Sequence, residues 1–102
     1  MIKKINLVQL NKIMSADIFG CPIQNMARHT DGEKTLLAFL VYLMGDVESA
    51  LITKKQLADQ TGYSEMSILR FIKKWVQYGR IEKEEKRTGL KISWKNGKPR
   101  YH

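Results

Sequence analysis

The sequence predicts a mainly α fold with a small β-hairpin, an α+β protein. Three observations predict it. The body "EKTLLAFLVYLMG" (33–45) is apolar nearly all round, the mark of a central buried helix. The stretch "ITKKQLADQTGYSEMSILRFIKKW" (52–75) holds a helical pattern that stops at "QTGYS" and restarts at once. After Gly79 the period shortens, and "RIEKEEKR" (80–87) and "LKISW" (90–94), joined by "TG", read as two strands of a hairpin.

The elements follow in order. Residues 2–19 place Leu7, Leu10, Ile13, Met14, Ile18 and Phe19 at i, i+3, i+4 spacings, which predicts an amphipathic N-terminal helix. "GCP" breaks it, because the residue before a proline is pushed away from helical geometry. "PIQNMARHTDG" has no period and reads as a connection. Thr30 or Asp31 caps the next helix, and Glu33 stands three residues after Thr30, the spacing of a capping box. Gly45 is its expected stop. "DVES" turns, and "ALI" (50–52) is a short strand. Thr53, with Gln56 three residues on, caps a helix over about 54–60 that buries Leu57 and Ala58. Ser64 caps the restarted helix, which places Ile68, Phe71, Ile72 and Trp75 on one face and ends at Gly79. Asn96 and Gly97 offer a tight turn, but Pro99 and the polar run predict a loose basic tail.

Composition bounds the rest. At 102 residues, 43% hydrophobic and 27% charged, the chain suits one domain with one modest core. The net charge is +8 with a pI near 9.8. Acidic and basic residues balance over 1–50, so the whole excess lies in 51–102. Such an excess attracts polyanions. The lone Cys21 excludes an intramolecular disulfide and predicts a reduced, cytoplasmic setting. No signal-peptide pattern is present, and "LLAFLVYLM" is far short of the ~20 apolar residues of a membrane span. No membrane partner is expected. No nucleophile elbow, P-loop, paired-carboxylate or Ser/His/Asp arrangement occurs, so an enzyme is not expected, nor is a cofactor. His29 and His102 lack further ligands at metal spacing.

The interruption has a steric reading. Ala58 lets one helix cross another closely, and Gly62 supplies a left-handed turn residue. Ala58, Gly62, Ser64 and Ile68 stand at offsets of four, six and ten, as in a helix-turn-helix. Residues 33–95 resemble the winged helix-turn-helix superfamily in the order helix, short strand, helix, helix, strand, wing, strand. "LADQTGYSEMSILRFIKKWVQYGRIEK" is similar to the stretch in GntR-like and MarR-like regulators where a recognition helix ends in Gly and an apolar residue starts the wing. Ser64, Ser67, Ile68, Trp75, Gly79 and Ile81 fall on those positions. The chain departs from GntR-like proteins at Glu65 and Leu69, where arginines are common, and in the wing, where Glu82, Glu84 and Glu85 mix with the cations.

The resemblance implies a winged helix-turn-helix over 30–95 and a recognition helix (about 64–78) in the major groove of double-stranded DNA. The wing (about 80–95) would lie on the backbone or minor groove. An extra N-terminal segment, 1–29, is then a candidate dimerisation or partner segment, and 96–102 a basic tail. Ser64, Glu65, Met66, Ser67 and Arg70 occupy the groove-facing N-terminal half of the recognition helix, and the planar fork of Arg70 suits a guanine edge. Lys73, Lys74 and Gln77 would meet phosphates further along. Lys54 and Lys55 beside the Thr53 cap are expected at phosphate too, and Lys86, Arg87 and Lys91 flank the wing tip. The expected function is a sequence-specific DNA-binding protein, a small transcriptional regulator of a bacterium, plasmid or phage, nucleoid-associated. A replication-initiation or plasmid-maintenance protein and a winged-helix adaptor for an acidic protein partner are the alternatives. RNA polymerase or replication proteins are candidate partners, and a homodimer would read half-sites ~34 Å apart.

Overall fold

A computed structural model describes residues 7–45 and 47–100. Its elements are α1 (Leu7–Ser15), a one-turn 3-10 helix (Ile23–Asn25), α2 (Asp31–Met44), β1 (Ser49–Ile52), α3 (Lys54–Thr61), α4 (Glu65–Tyr78), β2 (Ile81–Lys86) and β3 (Gly89–Trp94). The fold is α+β. Four α-helices pack with a three-stranded antiparallel sheet in the order β1-β3-β2.

Local chemistry accounts for each boundary. Both expected capping boxes form: Thr30 accepts from the Glu33 amide and Thr53 from the Gln56 amide, and each partner's side chain returns to the cap's own N–H. Gly62 takes φ 82°, ψ 0°, and its N–H donates to the Ala58 carbonyl at 2.8 Å. That left-handed residue turns α3 out of its axis, and Ser64 starts α4 at once by accepting from the Ser67 amide. Gly79, at φ 86°, ends α4.

The core lies where α2, α4 and the inner face of the sheet meet. Leu36, Leu37 and Leu40 of α2, Leu57 of α3, Ile68, Ile72 and Trp75 of α4, and Ile81 and Ile92 of the sheet are all fully buried within it. The Trp75 indole N–H donates to the Glu33 carbonyl at 2.8 Å, so the largest core side chain also has its polar atom satisfied. Gly32 allows a close approach: a Cβ there would stand 2.5 Å from Phe71 Cζ. Phe71, expected in the core, is half-buried on the first turn of α2, with the Tyr63 ring edge-on at 5.1 Å.

Two regions differ from expectation. The helix expected over 2–19 ends at Ser15, and its residues 2–6 lie outside the described residues. Beyond Ser15 the Ile18 N–H donates to the Ala16 carbonyl two residues back, a turn no helix can continue, yet Ile18 is buried. The apolar stripe of α1 is covered by the chain's own core: Ile13 is fully buried, with Leu10 and Met14 packed against the cluster. The connection after it buries Ile23 and Met26.

The tail is docked rather than loose. Asn96 donates from its side chain to the Gly79 carbonyl at 2.8 Å, Pro99 is buried, and the Arg100 N–H donates to the Ile18 carbonyl at 3.0 Å. The Arg80 guanidinium lies 4.3 Å over the Phe19 ring, which itself packs on Trp94. Residues 101–102 lie outside the described residues, as does the Asp46 of the expected "DVES" turn.

Candidate nucleic-acid interface

At about 100° per residue, burying Ile68, Ile72 and Trp75 turns Met66, Arg70, Lys73 and Gln77 to the opposite side of α4. All four are exposed, Met66 at 75%. This stripe runs nearly the length of the helix. Lys74 and Ser67 flank it on one edge, Leu69 and Glu65 on the other. Glu65 is thus beside the stripe rather than in it, one turn before Leu69.

The Arg70 guanidinium is hydrogen-bonded within its own helix. It donates to Ser67 Oγ at 3.2 Å, and Ser67 Oγ accepts from Ser64 Oγ at 3.0 Å. The cap of α4 therefore also tethers the one planar cation of its outer stripe, at the N-terminal half of the helix. Lys73 and Lys74 form no ion pair with any described residue.

The hairpin approaches α4 from the Leu69 side. Thr53, Lys54, Leu69, Glu85, Lys86 and Arg87 line a groove of about 350 Å³ that also touches Gly89 and Leu90. Tight packing sets its floor, since a Cβ on Gly89 would stand 3.2 Å from the Ile52 carbonyl oxygen. The first turn of α3, the flank of α4 and the hairpin tip thus converge on one channel. Lys55 is exposed in the same first turn of α3. The Thr53 hydroxyl oxygen is already engaged by the Gln56 amide at 3.0 Å, so its lone pairs serve the helix first.

The hairpin cations are unequal. Lys86 donates to Glu84 at 2.8 Å, and that ammonium, by its hydrogen bond and its charge, holds the Glu84 carboxyl below its usual pKa. Any stabilisation from this exposed pair is present above the ordinary carboxylate range and lost as pH falls through the lowered value. Lys91 stands directly opposite Glu84 across the β2–β3 ladder. The outward face of the hairpin is therefore close to neutral, and Arg87 at its tip forms no ion pair with a carboxylate among the described residues.

Three sets of expected residues are brought together: the α4 stripe, the Thr53–Lys54–Lys86–Arg87 channel, and the Lys74–Gln77 edge. Lys91 shares a second groove with Lys86, Arg87 and Thr88 of the hairpin tip, beside Ser49 and Leu51 of β1. The site also contains residues that pattern reading missed. Arg28 and His29 share a pocket with Lys74, Gln77 and Tyr78. His29 is only 8% exposed, stacked on the Trp75 ring with centroids 4.0 Å apart, and its Nδ1 lies 3.4 Å from a Glu33 carboxylate oxygen. The capping-box spacing marked Glu33 as a helix-start residue, but a histidine four residues before it in an aperiodic segment gave no further signal. No protein-family model, curated protein or solved structure matches this chain.

Proposed function

We propose that the chain is a sequence-specific double-stranded DNA-binding protein of winged helix-turn-helix type, with α4 in the major groove and the β2–β3 hairpin on the backbone. The observation that carries this is the outer stripe of α4. A helix seated on the core through Ile68, Ile72 and Trp75 exposes Met66, Arg70, Lys73 and Gln77, with Arg70 tethered through Ser67. A pre-oriented guanidinium suits two acceptors on a base edge, and unpaired ammonium groups suit phosphate. The channel at the hairpin tip adds Lys54 and Arg87 next to that helix. The unpaired excess of positive charge in residues 51–102 supplies the long-range attraction. Such a module, acting in the cytoplasm on the nucleoid, would regulate transcription by occupying an operator.

The test is selection of bound duplexes from a random library at near-physiological salt, followed by sequencing. An enriched motif is expected, and a palindromic one would add a homodimer with half-sites ~34 Å apart. Retention that depends on salt but enriches no motif would overturn base readout and leave only counterion-driven attraction.

A further inference from the structure

The pocket of Arg28, His29, Lys74, Gln77 and Tyr78, about 360 Å³ in volume, lies where the loop before α2 meets the second half of α4. Two of its side chains are permanent cations, and neither Arg28 nor Lys74 pairs with a carboxylate among the described residues. His29 forms the wall between them and the core. Its Nε2 is buried and has no hydrogen-bond partner among the described residues. A buried ring nitrogen left unpaired is costly, so its condition calls for a ligand-linked account.

We infer that this pocket binds one phosphate group, clamped by Arg28, Lys74 and the Gln77 amide, and that binding draws a proton onto His29. With Nδ1 donating to Glu33, a neutral His29 leaves Nε2 a bare lone pair facing a cationic pocket. Protonation makes both ring nitrogens donors: Glu33 takes one, and the new charge at Nε2 attracts the anion across a wall of low polarity. The groups facing the ring are Glu33 from α2, Lys74 and Tyr78 from α4, and Arg28 from its own loop. Glu33 favours the imidazolium and the two cations oppose it. A bound phosphate cancels the cations, which is why proton and anion should bind together. The Tyr78 ring stands edge-on to His29 at 4.7 Å and is half exposed, so it lines the pocket beside the imidazole. Resting on the DNA-binding proposal above, the phosphate is one of the backbone, and the footprint extends past α4 onto the loop before α2.

The test has two arms. In the first, the His29 ring is titrated by NMR with inorganic phosphate or with chloride at equal ionic strength. Phosphate should raise the titration midpoint of the native chain and leave Arg28→Ala unmoved. In the second, binding to a selected duplex is measured between pH 6 and 8 and over a range of salt. Native affinity should fall as pH rises, by at most about tenfold per pH unit for one linked proton. Arg28→Ala should flatten that dependence and lower the salt slope by about 0.9. Arg28 and Lys74 are exposed, so their alanine variants keep the fold; His29→Gln, which disturbs the stack on Trp75, serves only as a third check. An unmoved midpoint with phosphate overturns the pocket whatever the duplex does. A raised midpoint with no duplex binding keeps the phosphate site, assigns it to the free ion, and removes the DNA reading instead. Duplex binding whose pH and salt dependence survive Arg28→Ala removes the backbone phosphate from this pocket.

Discussion

α2 and α4 are both fourteen residues long and both begin at a hydroxyl cap, yet they are buried to opposite degrees. α2 buries nine residues, spread round its circumference; α4 buries only Ile68, Ile72 and Trp75. The difference lies in neighbours rather than in helix-forming tendency. α1, α3, α4 and the 3-10 turn all pack on α2, so that only Asp31 is exposed and Lys34, Thr35, Tyr42 and Leu43 are partly so. α4 rests on α2, α3 and β2, and eight of its fourteen residues stay exposed. One helix holds the others in place, and the other is held so that its far side can be presented.

That contrast can be broken or sharpened by substitution. Trp75 is the deepest anchor of α4, fully buried and hydrogen-bonded to the Glu33 carbonyl. Trp75→Ala should cost about 3–5 kcal/mol in chemical denaturation, enough to unfold a marginal domain. Stability within 1 kcal/mol of the native chain would mean that α4 is held elsewhere.

Gly32→Ala probes the contact between the two helices. In an open helix position this change would stabilise by up to about 1 kcal/mol. Here the new Cβ meets the Phe71 ring, so a loss of about 1–3 kcal/mol is expected. Adding Phe71→Ala should then make the glycine replacement neutral or favourable, and a double-mutant cycle with no coupling would refute the contact.

The outer stripe should show the reverse behaviour, with little change in stability and a clear change in binding. Arg70→Ala should weaken the selected duplex by about 1–3 kcal/mol and relax preference at one base position, as judged by repeating the selection. Lys73→Ala should have the smallest effect: weakening that is uniform over sequences and a salt slope lower by about 1. Equal, uniform losses from both would place Arg70 at phosphate.

Much of this architecture was legible because local rules and burial agree. Thr30, Thr53 and Ser64 announced helix starts, Gly62 and Gly79 helix ends, and the change of period after Gly79 announced the hairpin. The α4 faces were legible for the same reason, since three core residues at helical spacing fix where the rest must point. The unread parts are set by tertiary contact. Ile18 falls on the helical stripe but is buried from a turn beyond the helix end, and Ile23 is buried from a connection where no period reports burial. The tail is docked by hydrogen bonds to the main-chain carbonyls of Gly79 and Ile18, and a backbone carbonyl has no sequence signature. The placing of Lys91 opposite Glu84 depends on strand register, and His29 gains its place only once α4 delivers Trp75 beneath it.

The sheet order carries one more consequence, which concerns the timing of folding. β3 comes last among the strands in the chain but occupies the middle of the sheet, pairing Ile52 with Leu90 on one side and Ile81 with Trp94 on the other. Until residues 89–94 leave the ribosome, β1 and β2 have no partner at all. Closing β1 onto β3 also encloses α3 and α4, a long loop whose entropy must be met in one step. The helical part can gather early around α2, but the channel at the hairpin tip assembles only once β3 has emerged. A nascent chain of this protein should therefore hold a collapsed helical core before it owns a finished surface.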